Sequence, residues 1–128
     1  MLKNTPVTVL VIEDDAFLQR AYQAKFKKEG FIVVAATDGE SGLKLAREGK
    51  PNIILLDLML PKISGFDVLE ALMKDKATAD VPVIILSNLG QESDRVRGTD
   101  LGAKEYIVKA NSSLDEIVKK VRKYAASS

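Results

Sequence analysis

The chain has 128 residues, of which 46% are hydrophobic and 29% charged. That suits one domain with a real core and excludes disorder by composition. Lys and Arg number 19 against 18 Asp and Glu, a formal net charge of +1, so nothing pulls the chain generally toward nucleic acid or an anionic membrane.

There is no Cys and no His. Disulfides, thiol nucleophiles, Cys-type zinc sites, Ser–His catalysis and a phosphohistidine on this chain are therefore excluded. Chemistry is left to carboxylates, hydroxyls, amines and backbone. The longest unbroken apolar run, Phe31–Ala36, is far short of the roughly 20 residues that span a bilayer. The opening Met-Leu-Lys-Asn-Thr-Pro lacks the apolar stretch of a signal peptide. The expectation is a soluble, cytoplasmic chain with no membrane partner.

Taken in chain order, apolar runs alternate with segments of helical spacing. Val7–Ile12 reads as the first strand, and Ala16–Glu29 as the first helix, with Leu18, Ala21, Tyr22 and Phe26 on its stripe, Asp15 as N-cap and Gly30 as its stop. Phe31–Ala36 is the second strand. Thr37-x-x-Glu40 reads as a capping box for a helix over Gly39–Gly49, with Gly42, Leu43 and Ala46 facing inward. Ile53–Leu56 is the third strand, followed by a helix over Gly65–Asp75 that Ser64 caps and Phe66, Leu69 and Leu72 anchor. Val81–Leu86, with Pro82 near its start, is the fourth strand.

The fourth helix, Gln91–Gly102, is weak. Val96 and Leu101 are its only sizeable apolar anchors, and Gly98 costs a helix interior about 1 kcal/mol relative to Ala. It is expected to be short and loosely held. Tyr106–Val108 is the fifth strand, and Ser113-x-x-Glu116 opens a last helix over Leu114–Tyr124, with Leu114, Ile117, Val118 and Val121 at i, i+3, i+4 and i+7. The strand runs hardly alternate with polar residues, as expected of a parallel sheet buried on both faces. Five βα units imply one α/β domain over residues 1–128, with helices on both faces of the sheet and no output domain.

Right-handed crossovers point all five strands the same way, so ligands bind along the edge of their carboxyl ends. The runs end there in Glu13-Asp14-Asp15, Asp57, Ser87-Asn88 and Lys109. Clustered carboxylates repel unless neutralised, and a hard cation such as Mg²⁺ does this while keeping several exchangeable waters. A cation, an ammonium and a hydroxyl around one carboxylate suit phosphoryl transfer, which depends on positioning and charge neutralisation.

With these residues in place, the sequence resembles the response-regulator receiver domain, the CheY-like phosphoacceptor of two-component signalling. The resemblance runs from about Val7 to Tyr124. It rests on Val-Leu-Val-Ile-Glu-Asp-Asp (9–15), Asp-Gly-Glu (38–40), Ile-Leu-Leu-Asp-Leu-Met-Leu-Pro (54–61) with Gly65, Val-Ile-Ile-Leu-Ser (83–87) and Gly-Ala-Lys-Glu-Tyr-Ile-Val-Lys (102–109). It implies a three-layer, doubly wound, flavodoxin-like fold whose five-stranded parallel sheet has the order 2-1-3-4-5. It implies that Asp57 accepts the phosphoryl group and that Mg²⁺ is held by Asp14 directly, by Glu13 largely through water, by Asp57 and by the backbone carbonyl of Met59. Ser87 and Lys109 would contact the phosphoryl group, and Tyr106 would be the switch aromatic.

The implied role is a stand-alone response regulator, phosphorylated by a sensor histidine kinase or a histidine phosphotransfer protein. Its surface of fourth helix, fifth strand and last helix would control a downstream effector protein, without direct contact to nucleic acid. It would be no turnover enzyme, only catalysing its own phosphorylation and dephosphorylation.

Three positions depart from the family. Ala110 follows Lys109, where a cis proline is usual. A non-proline cis bond costs about 2.5–4 kcal/mol, so trans geometry or local strain is expected. Asn88 follows Ser87, where many members keep a smaller residue, and bears on access to Asp57. Met59 brings a side chain that cannot position water.

Plainer readings stand beside these. Asp57 suits a turn cap, Ser87 a turn hydroxyl, Lys109 a surface lysine and Tyr106 ordinary packing. The basic run Lys119–Lys123 suits the solvated face of a helix whose dipole favours cations at its C-terminal end. Three other functions compete. A Mg²⁺-dependent aspartyl phosphohydrolase often has a second acid two residues after its nucleophile, where this chain has Met59. A phosphorylation-independent binding module fits poorly with an intact Glu13, Asp14, Asp57, Ser87 and Lys109. A flavin site would need a phosphate against the acidic first loop.

Overall fold

The computed structural model describes residues 6–126. Five strands and five helices alternate: β1 (Thr8–Ile12), α1 (Ala16–Lys28), β2 (Ile32–Ala36), α2 (Gly39–Gly49), β3 (Ile53–Leu56), α3 (Gly65–Lys74), β4 (Val83–Ser87), α4 (Glu92–Asp100), β5 (Glu105–Val108) and α5 (Leu114–Ala126). One parallel sheet runs in the order β2-β1-β3-β4-β5. Among the described residues, no helix is long and apolar enough to cross a membrane.

Neighbouring residues of the inner strands point to opposite faces, and both faces are covered. Leu10, Ile12, Ile54, Leu56 and Ile85 meet α2 and α3 residues such as Ala46, Leu69 and Leu72. Val9, Val11, Ile53, Leu55, Ile84 and Leu86 meet Tyr22 and Phe26 of α1 and Ile117, Val118 and Val121 of α5. This explains why the runs lack alternation. β2 departs from that rule. It is an edge strand, and Ile32 is 49% exposed. Phe31 precedes β2 and is buried edge-to-face on Phe26, with ring centroids 5.3 Å apart. Val81 and Pro82 also lie outside their strand, where the Pro82 carbonyl accepts from the Ile54 N–H at 3.0 Å.

Several helix starts follow the sequence reading. Asp15 caps α1 by accepting from the Leu18 N–H at 2.9 Å, and Ser64 caps α3 by accepting from the Asp67 N–H at 3.2 Å. Ser113 and Glu116 exchange bonds as a capping box. At α2 the expected box is absent. Asp38, not Thr37, is the N-cap, and its carboxylate accepts from the Ser41 N–H at 2.8 Å and the Ser41 hydroxyl at 2.7 Å. A carboxylate one residue nearer the helix answers two donors at once.

α4 is nine residues long, without a side-chain cap, and only Gly98 is buried. Val96 does not anchor it and is 49% exposed. Two residues from Gly98, it lies roughly 200° around the helix. Gly98 is the contact point: a Cβ there would lie 2.5 Å from Ile85 Cδ1. Leu114, expected on the inner stripe of α5, is 39% exposed, while Ile117, Val118 and Val121 are buried.

Candidate phosphoacceptor site

The strand register brings the polar residues together. Ile12 stands beside both Ala36 and Leu56, Leu56 beside Ile85, and Ser87 beside Val108. The residues that follow these positions share one edge. Asp57 leaves β3 on the central side of that edge, its N–H bonded to the Ile12 carbonyl at 3.0 Å.

Lys109 closes the cluster. Its ammonium is 2.6 Å from Glu13 Oε1 and 3.1 Å from Asp57 Oδ2. Oxygens of Glu13, Asp14 and Asp57 lie within 4.8 Å of one another. Glu13 and Asp57 are buried, at 2% and 5% exposure, whereas Asp14 is exposed. The three predicted carboxylates and the amine therefore converge, and Lys109 is bonded to Glu13 more closely than to Asp57.

The electrostatics are those of a crowded anionic pocket. Burial pushes the Glu13 carboxyl above its ordinary value and outweighs the bonds from Lys109 and the Asp15 N–H. Burial works against the Lys109 ammonium too, but the Glu13 hydrogen bond and the fields of both carboxylates overcome it and raise its pKa. Such a donor set fits a hard divalent cation: oxygen ligands only, more negative charge than one ammonium neutralises, and one carboxylate open to solvent.

Met59 is 56% exposed, and its backbone N–H donates to Asp57 Oδ1 at 3.1 Å. Gly65 holds the same loop from behind. A Cβ on it would lie 2.3 Å from the Asp57 carbonyl oxygen and 2.4 Å from Leu58 Cα. Ser87 is fully buried, and its hydroxyl accepts from the Leu89 N–H at 3.3 Å. Tyr106 is buried as well, and its phenol donates to the Leu89 carbonyl. Ser87 and Tyr106 thus grip opposite backbone groups of one residue in the β4–α4 loop. The Arg95 guanidinium of α4 stacks on the Tyr106 ring, 5.4 Å from its centroid.

The three departures are placed as well. The Lys109–Ala110 peptide is trans, and among the described residues no peptide is cis. A 3-10 turn over Lys109–Asn111 carries the chain away instead. Asn88 and Ala110 are exposed on a groove of about 580 Å³, which is also lined by Lys109, Phe17, Tyr22 and Leu114.

Two residues escaped the sequence reading. Arg95 carried no signal beyond its charge. Gln19 did carry one. It is spaced i, i+3 and i+7 with Tyr22 and Phe26, the buried residues of α1, and is itself 4% exposed. A polar residue at a core position needs partners, and that pattern is readable in sequence.

The comparisons with known proteins agree with this geometry. A family model described as the response regulator receiver domain matches residues 9–122. The chain is 40% identical over 114 residues to the DNA-binding dual master transcriptional regulator RpaA of Synechocystis sp., covering 89% of this chain and 47% of that one. It is 38% identical over 106 residues to a probable transcriptional regulator, ycf27, of Guillardia theta, covering 83% and 41%. It thus spans less than half the length of these two relatives. Protein PilH of Pseudomonas aeruginosa is 36% identical over 101 residues, covering 79% and 84%.

Among solved structures, the Francisella response regulator 1452 receiver domain superposes with a TM-score of 0.88 at 30% identity, covering 96% and 98%. A CheY-like receiver domain protein from Methanospirillum hungatei JF-1 shares the fold at a TM-score of 0.89 and 21% identity, covering 96% of each chain. The doubly wound sheet, the acidic edge and the family match over nearly the whole chain lead to one conclusion: this chain belongs to the response regulator receiver domain family.

Proposed function

We propose that the chain accepts a phosphoryl group on Asp57 from the phosphohistidine of a sensor histidine kinase or a histidine phosphotransfer protein. The single observation that carries this reading is the meeting of the Asp57 carboxylate with Glu13, Asp14 and Lys109 in one cluster at the carboxyl edge of the sheet. Asp57 Oδ attacks phosphorus in line, and the P–N bond to the donor imidazole breaks. Lys109 and the Met59 N–H hold the carboxylate in position before the attack. Glu13, Asp14, Asp57 and the Met59 carbonyl would hold a Mg²⁺ ion, which supplies charge neutralisation at the phosphoryl oxygens when bound.

Phosphorylation adds charge and acceptor oxygens at Asp57. The Ser87 hydroxyl then turns to donate its O–H to a phosphoryl oxygen and moves off the Leu89 N–H, which releases one side of the β4–α4 loop. Tyr106 holds the other side and Arg95 of α4 leans on Tyr106, so the change reaches the α4–β5–α5 face and alters its fit to an effector protein. In this reading the chain is a switch, not a turnover enzyme. PilH, matched over 84% of its length, is a relative not much longer than the matched region, which supports a stand-alone role.

Intact mass after incubation with acetyl phosphate and Mg²⁺ tests the proposal. One phosphoryl group should add to the wild type and none to Asp57→Asn. Addition at an unchanged level in Asp57→Asn would sink it, and rapid multiple turnover would favour a hydrolase.

A further inference from the structure

Gln19 stands behind the acidic cluster. Its Nε2 donates to the carbonyls of Val11 at 3.2 Å, Glu13 at 3.1 Å and Ala36 at 3.1 Å. Two N–H hydrogens serve three oxygens, so at least one is shared. The side-chain oxygen accepts from Gln23 Nε2 at 3.4 Å, and the acceptors around one end and the donor at the other fix which way the amide faces. The Glu13 N–H in turn donates to the Ala36 carbonyl at 3.0 Å. Glu13 is therefore tied to the end of β2 directly through its nitrogen and through Gln19 by its carbonyl. Beyond that tie project the carboxylates of Glu13 and Asp14, two of the three acidic residues of the first loop.

Mg²⁺ demands near-ideal octahedral geometry at about 2.0–2.1 Å, and the partners that orient its ligands count as well as the ligands. We propose that Gln19 is a positioning residue for that cation. It sets the affinity of the Glu13–Asp14 loop for Mg²⁺ while touching neither the ion nor the phosphoryl group. The inference rests on the phosphoacceptor reading above for the identity of the cation.

Gln19→Met keeps length and approximate volume and removes the donors. Mg²⁺ titration by calorimetry should show binding about ten- to hundredfold weaker than wild type. Backbone amide order parameters from NMR relaxation, measured without Mg²⁺, should fall at residues 13–15, and phosphorylation at saturating Mg²⁺ should keep its rate. Gln19→Lys, with three N–H donors for the same three carbonyls, should restore the order parameters. If Gln19→Met does not fold, Gln19→Lys decides alone: an ordered 13–15 segment supports the proposal and a loosened one overturns it.

Asn52→Ala removes the 2.7 Å bond from the Thr8 N–H to Asn52 Oδ1 at the opposite end of β1 and controls for stability alone. It should leave Mg²⁺ affinity unchanged. Equal Mg²⁺ affinity in Gln19→Met and wild type, or an equal loss in Asn52→Ala, overturns the proposal and leaves the phosphoacceptor reading standing. A wild-type chain that binds no Mg²⁺ overturns both.

Discussion

Lys109 is the residue on which the pocket's balance turns. Its side chain is 12% exposed and satisfies two carboxylates that are almost fully buried. Removing one partner of a buried ion pair costs about 3–5 kcal/mol, because the remaining charge is left unpaired. Lys109→Met should lose about that much stability in urea unfolding at neutral pH. The deficit also has a predicted pH dependence. Burial already raises the Glu13 pKa with the ammonium present, and its loss raises it further. Below the ordinary carboxylate range Glu13 is protonated whether folded or unfolded, and the deficit should shrink. It should grow as pH rises through the folded-state value. Added Mg²⁺ should restore stability to Lys109→Met more than it stabilises wild type, since a cation then does what the ammonium did. A deficit that ignores both pH and Mg²⁺ would mean that Lys109 contributes packing alone.

At the scale of elements, the start of α2 separates pattern from geometry. Thr37-x-x-Glu40 fits the sequence rule, but Asp38 makes the bonds. Asp38→Ala should cost about 1 kcal/mol, the usual worth of an N-cap, and Thr37→Ala should stay within about 0.5 kcal/mol of wild type. The reverse ranking in thermal unfolding would restore the capping box. α4 carries a similar lesson. Its weakness was legible in its composition. Its attachment was not, because Gly98 reads as a flaw in a helix and acts as the close contact with Ile85. Two arginines just before that glycine add stacking within a helix whose Val96 is exposed: Arg95 on Tyr106, and Arg97 on Phe66 at 4.1 Å.

Across the whole molecule, the architecture was legible because a sheet buried on both faces writes itself as unbroken apolar runs. The strand order was not, since periodicity shows where strands lie and not which ones pair. Here the family resemblance supplied the order 2-1-3-4-5. The site was legible for a related reason. In a parallel sheet the residue after each run lands on one edge, so Glu13, Asp57, Ser87 and Lys109 could be placed together before any coordinates. Arg95 stayed hidden because its partner is a ring on another element, whereas the burial of Gln19 was readable from its spacing with Tyr22 and Phe26, and only its carbonyl partners were not. The edge position of β2 followed from that implied order, but the exposure of Ile32 did not show in the run itself, where it looks no different from a central residue.

The sheet also partitions the interior. Among the described residues, the layer under α1 and α5 shares no core side chain with the layer under α2 and α3. Damage on one flank should therefore be energetically invisible from the other. Phe26→Leu combined with Leu69→Ala should cost the sum of the single changes to within about 0.5 kcal/mol. What both flanks have in common is the thin lamina of strands between them, and the phosphoacceptor grows from its rim. Each flank reaches the aspartate's surroundings at that rim by one close contact of its own, Gly65 of α3 against the Asp57 carbonyl and Gln19 of α1 on the Glu13 carbonyl, so remodelling that spares these two points should leave the aspartate in place.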